Sequence, residues 1–213
     1  MKSIFFGTIF ILLAFTSCAQ KNNHAVNPKA RELNDSAIAL MRYPDSLSHV
    51  KAISLFDQAI AIDSNYILAY YNKFECQKEI RQYSNAIQTG KQIIELRPNI
   101  PGNYESLGNI CYMDGDSTSG DEYYGDALVL HNKILDTMSV SNKNYNMELL
   151  MKGEILMMLE RYEQGNQILK QLSEQQINAN IEGCIDLLMN KTRKEILYNS
   201  MGFNNSNNWI KIK

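Results

Sequence analysis

The sequence predicts an all-α fold of stacked helix pairs, and three observations carry that expectation. First, "KAISLFDQAIAIDSN" (51–65) and "NAIQTGKQIIELRPN" (85–99) align with Ala52 over Ala86 and Ser64 over Pro98, an offset of 34 residues at both pairs. A period of this length marks a helix–turn–helix unit that buries its apolar face only against neighbouring copies. Second, the 213 residues include only four prolines, which suits long helices. Third, "AIDSNYILAYYN" (61–72) ends one amphipathic run and begins an aromatic-rich one with only "SN" between them. This is the expected seam between two units, with Asn65 as the candidate cap of the second helix and Pro98 as a firmer stop at the matching place. Hydrophobic residues make up 45% and charged residues 21%, a globular and not a disordered balance. The formal charge is −2 and no lysine/arginine stripe stands out, so no nucleic-acid partner is expected.

The first stretch, "MKSIFFGTIFILLAFTSCAQ", reads as an address. Lys2 precedes an apolar run of 12 residues, Ile4 to Phe15, too short to span a bilayer comfortably but of signal-peptide length. "FTSC" resembles the bacterial lipobox, although Phe15 stands where leucine is usual. That resemblance implies cleavage before Cys18 and a diacylglycerol thioether on its sulfur. Each buried methylene contributes about 0.8 kcal/mol, so two or more chains anchor stably. The expected organisation is a lipoprotein signal peptide at 1–17 and a lipidated cysteine with a flexible tether at 18–27. A helical repeat domain of about four pairs plus a capping helix follows at 28–200, then a polar tail at 201–213. The implied location is a bacterial envelope membrane, with the outer membrane the expected one.

The repeat resembles the tetratricopeptide family, whose units read W-x2-L-G-x2-Y, then A-x3-F, then P. Ala52, Phe56 and Ala59 form the small/large/small stripe of the first unit's second helix. In the second unit Tyr70 stands at the tryptophan, Ala86 at the alanine and Pro98 at the proline. Phe74 replaces the glycine there and Gly90 the phenylalanine, so Gly90 is expected to leave room that Phe74 needs. Tyr104, Leu107, Gly108 and Cys111 continue the pattern in the third unit, and Gly153, Leu156, Gly165 and Leu169 in the fourth. "RQYSNA" and "ERYEQG" are similar helix-to-helix turns. The resemblance implies a right-handed superhelical array of antiparallel helix pairs.

Spacing breaks once: Gly108 and Gly153 are 45 residues apart. The surplus is expected in a loop, "MDGDSTSGDE" (113–122), and in "DTMSVSNKN" (136–144). "NIEGCIDLLMNKTRKEILYNSM" (180–201) reads as one amphipathic helix that caps the last repeat.

Chemistry is sparse in the sequence. His24, His49 and His131 belong to no ligand pattern, and no nucleophile elbow, P-loop or dinucleotide fingerprint appears. No enzymatic activity, cofactor or metal is expected. Asp114 and Asp116 in "DGDST" offer only a weak calcium alternative, because the calcium-loop pattern fails after them. Cys76, Cys111 and Cys184 are single and widely spaced, which suits buried thiols, with one disulfide the alternative. In the tetratricopeptide family the first helices of successive units line a concave groove that holds a peptide or a partner's helix. Carried onto this chain, that geometry nominates Tyr71, Glu75 and Lys78, then Glu105, Asn109 and Tyr112, then Leu150, Glu154 and Met157. The expected function is a membrane-anchored adaptor that holds a protein or peptide partner at the envelope. The alternative is a glycan- or ligand-binding lipoprotein of nutrient capture. Those usually display aromatic platforms on insertions, whereas here Trp209 is the single tryptophan.

Overall fold

A computed structural model describes residues 24–43, 45–175 and 179–200, and every regular element among them is an α-helix. The order is α1 (Pro28–Met41), α2 (Ser46–Ile62), α3 (Ile67–Glu79), α4 (Tyr83–Leu96), α5 (Pro101–Asp114), α6 (Ser117–Thr137), α7 (Tyr145–Met158), α8 (Tyr162–Ser173), α9 (Ala179–Leu188) and α10 (Arg193–Ser200). The chain divides into two compact units, one of residues 18–120 and one whose described part begins at Asp121.

In the first unit α1 packs on α2, α2 on α3, α3 on α4 and α4 on α5. Asn27 caps α1 by accepting from the Lys29 N–H at 2.9 Å, and Pro28 fills the first helical position, where its missing N–H costs nothing. Asp45 caps α2 through the Ser48 N–H and hydroxyl. Small residues set the first crossing: Ala30, Ala37, Ala52, Ala59 and Ala69 are fully buried around Phe56. A second cluster holds Tyr70, Phe74, Ala86, Ile93 and Ile110. The expected compensation is present there. A Cβ on Gly90 would lie 3.2 Å from Phe74 Cε2 and 2.9 Å from Leu107 Cδ1, so the missing side chain is what admits both.

In the second unit α7 and α8 form the central pair, covered by α9 and α10. Gly153 and Gly165 lie at the crossing, where a Cβ on Gly165 would stand 3.0 Å from the Gly153 carbonyl oxygen. Leu150, Ile155, Leu156, Met158, Leu169, Leu172 and Ile185 fill the surrounding core.

The helix-to-helix turns repeat in atomic detail. After α3 the Arg81 N–H bonds the Lys78 carbonyl and the Gln82 N–H bonds the Gln77 carbonyl; after α7 the Glu160 and Arg161 N–H groups bond Met157 and Leu156 in the same pattern. Arg81 and Glu160 both take the left-handed conformation, at φ 59° and 58°. Gly115 fills the same role after α5, with the Asp116 N–H on the Cys111 carbonyl. Within the first unit the seam between successive helix pairs repeats as well: Tyr70 donates its hydroxyl hydrogen to the Ser64 carbonyl, and Tyr104 does the same to Pro98.

Three expectations change. Residues 113–122 are not a loop. Asp116 caps α6 by accepting from the Ser119 N–H at 3.0 Å, and the surplus residues lengthen that helix to 21 residues. The segment 180–201 is not one helix but α9 and α10, broken where Asn190 takes φ 59°. Thr192 and Glu195 then start α10 as a reciprocal capping box, with the Thr192 N–H on Glu195 Oε2 and the Glu195 N–H on Thr192 Oγ1. Asn65 does not cap α3, whose cap position is Tyr66 with no side-chain bond. Asp63 organises that seam instead.

Candidate partner-binding face

The nominated residues of the first unit lie on α3 and α5. Tyr71 is half-buried and donates its hydroxyl hydrogen to Asn103 Oδ1 at 2.9 Å, while Asn103 Nδ2 donates to the Arg97 carbonyl at 3.0 Å. Burial raises the Tyr71 phenol above its ordinary value. The side chain therefore ties α3 to the start of α5 and presents only part of its ring. Glu75 and Lys78, one turn apart, pair with each other and are each about one-third exposed. Glu105 and Asn109 are half-buried on α5. Together these five residues give a partly exposed surface that mixes carboxylates, an amine, an amide and a phenol ring.

Tyr112 does not belong to that exposed set. It is 5% exposed, and its ring covers Gly120 in the first turn of α6, where a Cβ would stand 3.0 Å away. In the second unit Glu154 is half-buried on α7, but Met157 is fully buried with its Sδ against Gly165, and Leu150 is buried too. The expectation that Tyr112 and Met157 stand exposed is corrected. Both positions serve helix crossings, because α6 begins earlier than a loop would allow and because Gly165 brings α8 close to Met157.

Sequence reasoning passed over Asn34. It lies on the buried stripe of α1 between Ala30 and Ala37, and accepts from Asn72 Nδ2 at 2.9 Å. A polar residue at helical spacing among buried alanines was the available signal, since a buried amide requires a partner. The Asn34–Asn72 and Tyr71–Asn103 bonds join α1 to α3 and α3 to α5, so the first helices of successive pairs are linked by polar contacts.

The histidines pair with carboxylates on other elements. His24 meets Asp63 at 2.7 Å, His49 meets Glu79 at 2.6 Å, and His131 meets Glu148 at 2.8 Å. Among the described residues no group of three or more His, Cys, Asp and Glu side chains converges to hold a metal ion. Of the two weak calcium candidates, Asp114 accepts from the Ser84 hydroxyl and Asp116 is the α6 cap. Cys76, Cys111 and Cys184 are free thiols. Burial pushes Cys76 up to about 12 and Cys111 up to about 11, far from a reactive thiolate.

Residues 24–27, expected to belong to the flexible tether, are held. Asp63, 6% exposed, accepts from His24 Nε2, from the Asn27 N–H at 2.9 Å and from the Asn65 N–H at 3.2 Å. Burial alone would raise its pKa, and these bonds more than reverse that and hold it below the ordinary 3.8. Val26 packs against the first core. Cys18 and the tail at 201–213 lie outside the described residues. No described helix is long and apolar enough to cross a membrane.

No family model and no curated protein matches the chain. Solved structures do. A kinesin light chain protein of Podosopora anserina with nearly identical TPR-like repeats is similar at a TM-score of 0.53 and 11% identity, over 84% of this chain and 90% of that one. The MamA protein is similar at a TM-score of 0.50 and 13% identity, over 82% and 83%. At such identities the likeness concerns the fold, which is the tetratricopeptide-like arrangement of consecutive packed helix pairs.

Proposed function

We propose that this chain is a non-catalytic adaptor, anchored through lipid on Cys18 to a bacterial envelope membrane, that holds a protein or peptide partner on the first helices of its repeats. The observation that carries the reading is the polar linkage of α1, α3 and α5, which holds those helices in fixed register beside Glu75, Lys78, Glu105 and Asn109. A pre-ordered face loses little conformational freedom on binding. Glu75 and Glu105 favour a partner segment with positive charge or hydrogen-bond donors, and the exposed part of Tyr71 supplies apolar area. Glu154 on α7 is the corresponding candidate of the second unit.

Two measurements test the two halves of this reading. For the anchor, Cys18→Ala leaves uncleaved precursor that no longer incorporates labelled fatty acid; equal labelling of variant and wild type rejects the site. For the face, Glu75→Lys with Glu105→Lys weakens capture of a stoichiometric partner from gently solubilised membranes by at least about tenfold, at unchanged helical content. Undiminished capture by the folded double variant rejects the face.

A further inference from the structure

The carboxylate that closes the α2–α3 seam also holds the first described residues of the chain. Asp63 holds His24 and the Asn27 backbone, and five residues, 19–23, separate Cys18 from His24 in sequence. At about 3.6 Å per residue the greatest reach from Cys18 to His24 is about 22 Å, roughly two-thirds of that to Asn27. Two large apolar side chains flank Asp63 and face solvent. Ile62, the last residue of α2, is 44% exposed, and Leu68, in the first turn of α3, is 49% exposed. Single exposed apolar residues are ordinary on protein surfaces. These two differ by their position, on either side of the residue that holds the anchor-bearing segment.

We propose that the α2–α3 seam rests on the lipid bilayer that carries the anchor, with Ile62 and Leu68 as its apolar contacts. This rests on the reading of Cys18 as lipidated. The Asp63 clasp keeps the seam within the reach of a short segment, and the two side chains enter the headgroup region, adding to the affinity of the acyl chains. The clasp thereby sets the orientation of the first unit as well as its distance from the lipid. The other end of α2 supplies a built-in reference. Leu47 is 64% exposed, but lies about 22 Å along the helix axis from Ile62 at 1.5 Å per residue.

The test uses the full lipidated chain with Trp209→Phe and one new tryptophan, at Ile62→Trp, Leu68→Trp or Leu47→Trp. Each protein is reconstituted into phosphatidylcholine vesicles with or without bromine on the acyl chains, and tryptophan quenching is read. The expected result is at least about twofold quenching at positions 62 and 68 and none at 47. Adding His24→Ala and Asp63→Asn removes most of the quenching at position 62 while the protein still floats with the vesicles. Equal quenching at 47 and 62, or none at 62 and 68 in protein that floats, overturns this proposal and leaves the anchor intact. Wild-type protein that fails to float overturns the anchor reading, and this proposal with it.

Discussion

The α3–α4 and α7–α8 pairs share one turn and differ at their crossings. Both turns place a non-glycine residue in the left-handed conformation, with the same two backbone bonds back to the preceding helix. At the α3–α4 crossing a large residue, Phe74, is admitted by Gly90, and the atoms nearest a Cβ there are side-chain ends. At the α7–α8 crossing Gly153 and Gly165 let the helices approach until the Gly153 backbone oxygen is among the nearest atoms. A side-chain neighbour can rotate away, whereas a helix backbone cannot move without carrying its whole turn. The two units therefore tolerate the same substitution differently.

The largest effect is expected at Gly165→Ala. Its Cβ meets Met157 Sδ at 2.7 Å and the Gly153 oxygen at 3.0 Å, so urea unfolding should show a loss of about 2–3 kcal/mol despite alanine's better helix propensity. Gly90→Ala meets only Leu107 and Phe74 side-chain atoms, and alanine's propensity gain offsets much of the strain; the net loss should be about 1 kcal/mol or less. Adding Phe74→Leu should relieve part of that strain. Equal losses at Gly90 and Gly165 would remove the distinction between the two crossings.

The turns sharpen the comparison from the other side. Arg81→Gly and Glu160→Gly relieve a left-handed non-glycine residue, at the cost of a more mobile unfolded chain. Each should stabilise by about 0.5–1 kcal/mol and by similar amounts in the two pairs. A marked inequality would show that the turns, and not only the crossings, differ between them.

The smallest effect is one of pH and belongs to the first unit. The Asp63 pKa is lower folded than unfolded, so its contribution is fully present above the ordinary carboxylate range and is lost as pH falls through the lowered value. Asp63→Asn should flatten that acid limb of the stability curve. An unchanged limb in the variant would assign the acid sensitivity to other groups.

Much of this architecture is legible in the residues. The 34-residue recurrence, the paired turns before Tyr83 and Tyr162, and the exchange of Phe74 against Gly90 all follow from side-chain size and helical period. The start of α6 was hidden because "DGDSTSGDE" has loop composition. Its helix depends on one aspartate cap and one left-handed glycine, both local features that composition averages away. That misreading also hid the burial of Tyr112, whose cover is the first turn of α6. The break between α9 and α10 escaped because its left-handed residue is Asn190 and not glycine, although the Thr192–Glu195 capping spacing was readable. Asp63 was passed over because its partners, His24 and Asn27, lie 39 and 36 residues away in sequence.

The most direct test of the adaptor reading is site-specific photocrosslinking in cells, with the photoreactive residue at Glu105 or, as a reference, at Lys51 on the exposed surface of α2. One discrete adduct with another protein is expected from position 105 and none from position 51. The same adduct from position 51, with none from position 105, would contradict that reading.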